Sequence, residues 1–133
     1  MVILFDQYNL SDDVFEIIFA TEQQVEVAKL LIAELKNFGG KMTKTQMSDF
    51  ANRLHDGFEY SREEQIGFAK RTKQQKVSYN KRQFYDRILT PMKGMGMIDY
   101  DLYKKTYNLS DKFTKTINKV AQLWVQESKK IAS

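Results

Sequence analysis

The side chains best suited to chemistry in this chain lie close together, just past its middle. They are polar groups that donate or accept hydrogen bonds: Asn80, Arg82, Gln83, Asp86 and Arg87. In the major groove of DNA an arginine can hold guanine, and a glutamine or asparagine can hold adenine, through two hydrogen bonds. Gln83 and Arg87 would share one line of a helix, while Asp86 could orient Arg82 or contact cytosine. The pattern favours base reading, although phosphate contacts alone, or pairs with acids of the same domain, would use the same residue types.

A helix must position this cluster. Asn80 and Gln83 form a capping box at its start, and either Gly94 or Gly96 can end it with a left-handed residue. Because proline removes one helical hydrogen bond, Pro91 predicts either a kink or a stop near Leu89 followed by a fresh turn at Thr90 and Pro91. The apolar spacing continues to Met95 and favours the kink. The apolar face, at helical spacing, consists of Phe84, Ile88, Leu89, Met92 and Met95.

A β-hairpin is predicted directly after this helix. Two short alternating segments, 97–101 and 106–109, flank a polar turn near Lys104 and Lys105. Two further capping boxes, Thr21 with Gln24 and Thr43 with Gln46, predict helices earlier in the chain.

Part of the sequence resembles a known family. The helix and hairpin contain the run Arg82-Gln83-Phe84-Tyr85-Asp86-Arg87-Ile88-Leu89-Thr90-Pro91-Met92, then Gly96-Met97-Ile98. This run is similar to the "R-x-F/V-Y-x-R-V-L-x-P-L-x-x-x-G-L-I" run of small archaeal winged-helix transcriptional regulators, and the likeness covers about residues 41–130. It implies a mainly α fold with a small β-hairpin, namely a winged helix-turn-helix with N-terminal and C-terminal helical extensions. The helix of about 80–95 would then be the recognition helix, and the wing of about 97–109 would lie on the DNA backbone.

The segment before the cluster departs from that family. A helix-turn-helix joins its helices by about 3–4 residues, but more than twenty separate Gly57 from Asn80. A capping box at Ser61 and Glu64 predicts a helix over about 62–73. That helix would be either an insertion in the turn or the positioning helix itself.

Positive charge gathers in the middle of the chain. Residues 1–36 hold two basic and seven acidic residues, 62–93 hold nine and three, and 94–133 hold seven and four. We therefore expect a polyanion to meet the middle and avoid the start, although lysines that only solvate helix faces would give the same totals. The run 70–76 lacks acids and is expected to stay mobile until it meets phosphate. The predicted phosphate contacts are Lys70, Arg71, Lys73, Lys76, Lys81, Lys104 and Lys105.

Composition argues against catalysis. The chain has no cysteine and a single histidine, His55, so that it lacks thiolate nucleophiles and paired-histidine metal sites. No phosphate-binding glycine loop occurs. We expect no enzyme activity, no metal, no cofactor and no small-molecule ligand. No membrane span or signal peptide is evident, and a cytoplasmic location is expected.

The 133 residues suffice for one domain with a modest core. Residues 1–20 would form an arm or short helix, 21–109 the winged-helix core with an inserted basic segment near 58–78, and 110–133 a C-terminal helix. In that last helix an apolar seam approaches a heptad pattern, which is typical of dimerisation, although packing on its own domain would use it too. The seam residues are Phe113, Ile117, Val120 and Trp124.

These observations lead to sequence-specific binding of double-stranded DNA, by a homodimeric transcriptional regulator, as the first hypothesis. A dimer would place two recognition helices about one DNA turn, roughly 34 Å, apart. The alternatives are a winged-helix module for protein–protein interaction, or a plasmid or virus replication or partition factor, because fold alone does not decide between them.

Overall fold

The computed structural model describes residues 5–66 and 69–132, and it describes their side chains except at 62–71 and 131–132. Of the expected N-terminal arm, residues 1–4 lie outside this range. The described elements, in chain order, are α1 (Val14–Ile18), α2 (Glu22–Asn37), β1 (Lys41–Thr43), α3 (Lys44–Asp56), β2 (Phe58–Ile66), β3 (Ala69–Val77), α4 (in three segments, Lys81–Phe84, Tyr85–Leu89 and Thr90–Met95), β4 (Ile98–Asp101), β5 (Thr106–Leu109) and α5 (Lys112–Ala132).

The predicted caps set the starts of the long helices. Thr21 accepts a hydrogen bond from the backbone N–H of Gln24, and Thr43 and Gln46 form a complete capping box. Each cap satisfies backbone donors that a helix start otherwise leaves unpaired. Asp13 caps the short helix α1, and its carboxylate also pairs with Lys29 of α2, which lowers the pKa of that carboxyl.

The predicted hairpin at about 97–109 is confirmed as β4 and β5. It belongs to a three-stranded antiparallel sheet of order β1-β5-β4. In the register, Met42 stands opposite Tyr107, and Tyr107 stands opposite Tyr100. The sheet therefore connects the start of α3 to the segment that follows α4.

The helix predicted over about 62–73 is wrong, and so is the capping box at Ser61 and Glu64. The chain there forms a second antiparallel hairpin, β2–β3, whose register runs from Phe58 opposite Val77 to Ile66 opposite Ala69. Alternating burial at its base favours a strand, because Phe58 and Tyr60 are partly buried while Glu59 and Ser61 are exposed.

The base of this hairpin is anchored on the helices. The Arg53 guanidinium of α3 lies 5.0 Å from the centre of the Phe58 ring and makes a 2.7 Å contact with Glu34 of α2. The Tyr60 hydroxyl donates to Glu26, again on α2. A ribbon of nine-residue strands is about 30 Å long at roughly 3.4 Å per residue, so that most of it extends beyond these anchors.

Helix α4 continues through Pro91 because a π turn precedes the proline. Tyr85–Leu89 is π-helical, and the Thr90 N–H donates to the Tyr85 carbonyl. The wider turn accommodates a residue that has no N–H to donate. Gly96 ends the helix at φ +88°, and the Gly96 and Met97 N–H groups bond back to Lys93 and Met92. This is the left-handed end that the glycines predicted.

One apolar core holds α2, α3 and α4 together. Phe50 of α3 contacts both Phe84 of α4 and Phe58 of the hairpin, with ring centres 5.6 Å apart in each pair. Each fully buried side chain of this size contributes roughly 1.5–3 kcal/mol. The apolar residues of α3, which recur at helical spacing, are all buried; they are Met47, Phe50, Ala51 and Leu54. At this level the expected fold, helices with a small antiparallel sheet, is confirmed.

Helix α5 leaves this core. Its first turn touches the end of α4, where the Phe113 N–H donates to the Gly96 carbonyl at 2.9 Å. Beyond Phe113, the large apolar side chains described up to residue 130 are exposed. No helix within the described ranges is long and apolar enough to cross a membrane.

Candidate nucleic-acid interface

The exposed side of α4 carries most of the predicted base-reading residues. Arg82, Gln83, Asp86 and Arg87 all face solvent, whereas Phe84 and other apolar residues of the helix are buried. The Arg82 side chain is 92% exposed and the Asp86 side chain is 68% exposed. The Arg82 Nε lies 3.9 Å from Asp86 Oδ2, so that the predicted pair is brought together loosely. These side chains could meet base edges without a change in the fold.

Asn80 is partly committed to the helix itself. Its side-chain oxygen accepts the Gln83 backbone N–H at 3.1 Å, which caps α4. The amide group retains its two donors and the second lone pair of its oxygen, so that the cap uses only part of its hydrogen-bonding capacity. The position of Asn80 therefore serves the start of the helix first.

Lys81 does not stand free as a phosphate contact. Its Nζ donates to Asn52 Oδ1 at 2.8 Å and to Ser48 Oγ at 3.5 Å, both on α3. Its backbone N–H bonds His55 Nδ1 at 3.3 Å, which gives the lone histidine a structural position between the two helices. Lys81 thus fixes α4 on α3.

The tip of the β4–β5 hairpin presents Lys104 and Lys105 to solvent. Asp101 Oδ1 accepts the backbone N–H groups of Tyr103 at 2.9 Å and Lys104 at 3.1 Å. The bond from Lys104 is the largest cause of a lowered pKa at Asp101. Lys105 has φ +53°, a left-handed conformation uncommon for a residue with a side chain. The turn that carries the two lysines is therefore held by its own hydrogen bonds.

An open groove lies between this tip and the start of α3. The Lys44 N–H donates to the Lys105 carbonyl at 3.2 Å, which joins the two elements. The groove is lined by Thr43, Lys44, Thr45, Ser48, Asp49, Lys104 and Lys105. Sequence reasoning missed Lys44; the signal for it was its place directly after the predicted cap Thr43, at a positive helix end.

Ser48 joins this groove to α4. Besides accepting a hydrogen bond from Lys81, it bonds the Tyr85 hydroxyl of α4. Burial raises the pKa of Tyr85, and the bond with Ser48 opposes that rise. Ser48 consequently connects the groove to α4 through Lys81 and Tyr85.

No protein family, curated protein or solved structure matches this chain. The likeness to winged-helix regulators accordingly rests on the run in α4 and the hairpin after it.

The basic segment behaves differently from expectation. Expected as an acid-free mobile run, it forms strand β3, which is paired along its length with β2. The two strands together hold five basic and three acidic residues. Lys73 and Lys76 are exposed, and Lys76 stands opposite Glu59. For Lys70 and Arg71 the backbone alone is described, so that their side chains lie outside the description.

The predicted seam of α5 is largely uncovered. Ile117, Val120 and Trp124 are half-exposed or more, while Phe113 is partly buried. Within the described part of the chain, packing on its own domain therefore accounts for Phe113 and leaves the other seam residues exposed. Among the described residues, no three His, Asp or Glu side chains are close enough to hold a metal ion.

Proposed function

We propose that this chain is a winged-helix protein that binds a specific sequence of double-stranded DNA and acts as a transcriptional regulator. The observation that carries the proposal is the exposed side of α4 together with the lysine-lined groove that Ser48 connects to this helix. Arg82, Gln83, Asp86 and Arg87 are exposed on α4, and the lysines of the hairpin tip line the groove. In DNA-binding domains, one helix typically contacts the bases while nearby lysines contact the phosphates of the DNA backbone.

The order of the elements supports the same proposal. Leaving aside β2–β3, the chain runs α2, β1, α3, α4, β4, β5, with the sheet in the order β1-β5-β4. This arrangement is compatible with a winged helix, in which α4 would enter the major groove and the β4–β5 hairpin would be the wing. The hairpin β2–β3 would then be an insertion between α3 and α4.

In this proposal affinity and specificity come from different places. Lys44, Lys104 and Lys105 would contact phosphates and bind any duplex. Arg87 and Gln83, one helical turn apart, would discriminate bases at roughly 1–3 kcal/mol each. Lys73 and Lys76, on β3, could add backbone contacts beyond the domain itself.

The alternative of a protein-interaction module is favoured by one observation, the exposed apolar side of α5. A replication or partition factor would bind DNA through the same surface and differ only in its target.

The first experiment is a selection of binding sites from random duplexes, followed by a salt titration. A preferred sequence should emerge, and the logarithm of the affinity should fall with the logarithm of salt by roughly 0.9 per phosphate neutralised. Lys44→Ala should reduce this slope, whereas Lys36→Ala, an exposed control on α2, should leave it unchanged. No enrichment, together with a flat salt response, would reject DNA binding and leave the protein-interaction alternative.

A further inference from the structure

Helix α5 carries an apolar stripe that nothing in the described part of the chain covers. Ile117 is 51% exposed, Val120 58% and Trp124 65%, and Leu123 beside them is 49% exposed. Together they form a few hundred Å² of apolar surface, roughly the size at which a patch on a monomer marks an interaction site. The stripe therefore requires an occupant.

The stripe has the spacing of a coiled-coil seam. Ile117 and Trp124 stand seven residues apart, and so do Phe113, Val120 and Glu127, which places them at the a and d positions of a heptad. The lysines of the helix fall on the outer positions c, f and g: Lys112, Lys115, Lys119, Lys129 and Lys130. A second helix with the same pattern would fit this seam without burying a lysine.

Glu127 determines the direction of that second helix. In a parallel pair, d positions meet d positions, so that two Glu127 carboxylates would oppose each other in a desolvated seam. In an antiparallel pair, a positions meet d positions, and Glu127 would face Ile117 of the other copy.

We propose that two copies of this chain pair through α5 as an antiparallel coiled coil. Trp124 of each copy would pack against the smaller Val120 of the other. The register that matches a with d positions has its midpoint at residue 122, which is also the midpoint of Lys112–Ala132. The two helices therefore overlap along their whole length, and the two-fold symmetry closes the assembly as a dimer. This pairing does not depend on DNA binding.

Engineered cysteines test the direction, because the chain has no cysteine of its own. Ile117→Cys and Glu127→Cys are prepared in the full chain, one with a tag that changes its size. In the antiparallel pair, position 117 of one chain faces position 127 of the other. The two 117 positions lie about 15 Å apart along the axis, at roughly 1.5 Å per residue, and so do the two 127 positions. Disulfides form only when the Cα atoms are within about 7 Å. Oxidation of the mixture should yield the hybrid dimer, and oxidation of either variant alone should yield no disulfide.

The matched control is Gln122→Cys, at an outer position, which should form no disulfide in either direction. Circular dichroism checks that each variant is folded. Trp124 is the single tryptophan, so its emission should shift to the red as the parent protein is diluted. Disulfide dimers from Ile117→Cys alone and Glu127→Cys alone would overturn the antiparallel direction. A parent protein that sediments as a monomer at tens of micromolar, with no disulfide in any sample, would overturn self-pairing and assign the stripe to a different protein.

Discussion

Arg87 and Gln83 lie one helical turn apart on the exposed side of α4, and the proposed function assigns base discrimination to them. Arg87→Ala and Gln83→Ala should each relax the preference at one or two base positions by roughly 1–3 kcal/mol, because each removes a two-bond contact. Affinity for random duplex should remain nearly unchanged. Binding to a panel of single-base variants of the selected site measures both quantities.

The control for this prediction lies on the wing. Lys104→Ala combined with Lys105→Ala should weaken binding to all sequences alike, because phosphate contacts carry no sequence information. If the α4 variants kept the full base preference of the parent protein, α4 would not be the reading helix.

Asp101 gives the β4–β5 turn a dependence on pH. Backbone N–H groups of Lys104 and Tyr103 lower its pKa below the ordinary value of 3.8. When the pKa of a carboxyl is lower in the folded than in the unfolded chain, its ionised form stabilises the fold. This stabilisation is complete above the pKa of the unfolded chain and is lost as pH falls through the pKa of the folded chain. The amide NMR signals of Tyr103 and Lys104 should therefore hold steady from neutral pH to about pH 4 and move below it.

Asp101→Asn is the matched variant for this titration. Asparagine retains the accepting oxygen but does not titrate, so that the turn should persist and the two amide signals should no longer follow pH. Signals that moved identically in both proteins would exclude Asp101 as the source.

At the scale of elements, Gly96 holds the junction between α4 and α5. A Cβ there would lie 2.8 Å from the Phe113 backbone nitrogen and 2.9 Å from the Lys112 carbonyl carbon, at a φ of +88°. Gly96→Ala should therefore lower the free energy of unfolding by more than about 2 kcal/mol, since strain and a backbone clash add together. Thermal unfolding measures the change.

Gly94→Ala is the control for that substitution, two residues away. Gly94 is helical, with no atom within 4 Å of an added Cβ. Alanine there should raise stability by roughly 0.5–1 kcal/mol, because glycine weakens a helix interior. Equal losses in both variants would contradict the account of the junction.

The elements that sequence reasoning predicted correctly are those with local signals. The caps Thr43 and Asn80, the buried positions of α3 and the glycine end of α4 follow from residues within one or two turns of each other. The hairpin β2–β3 was missed because Ser61 and Glu64 imitate a helix start. What makes the segment a hairpin is the contact of Phe58 and Tyr60 with distant helices. Its sequence signal was weak: alternation at the two ends, with a glycine, Gly67, midway between them.

For the candidate site, too, only the features set by local sequence could be predicted. Which residues of α4 face outward was predictable from helical periodicity. Two contacts could not be predicted from residue spacing, because they depend on how α3 packs. Lys81 donates a hydrogen bond to Asn52, and Lys44 lines the same groove as Lys104 and Lys105.

At the scale of the whole molecule, the charge distribution and the proposed pairing are compatible with the proposed binding of DNA. The acidic first 36 residues contain α1 and most of α2, while the excess of basic residues lies in 62–133. In the proposed antiparallel pair, the starts of the two α5 helices would be about 30 Å apart, at roughly 1.5 Å per residue. That separation is close to one DNA turn, roughly 34 Å, which is the spacing that two reading helices on one face require.

The hairpin β2–β3 leaves and re-enters the domain at one point, where Phe58 stands opposite Val77 and the Tyr79 N–H donates to the Leu54 carbonyl at 2.8 Å. We therefore expect the domain to fold without the ribbon, because the entropy of loop closure changes by only about 0.6 kcal/mol for each doubling of loop length. Replacing residues 61–74 by Asn-Gly, a favoured two-residue turn, keeps Tyr60 opposite Gln75. The free energy of unfolding of the shortened chain should lie within about 1 kcal/mol of the value for the parent protein. The shortened chain should fold at least as fast, since a larger share of its contacts is local. A shortened chain that did not fold would mean that the ribbon helps to nucleate the domain.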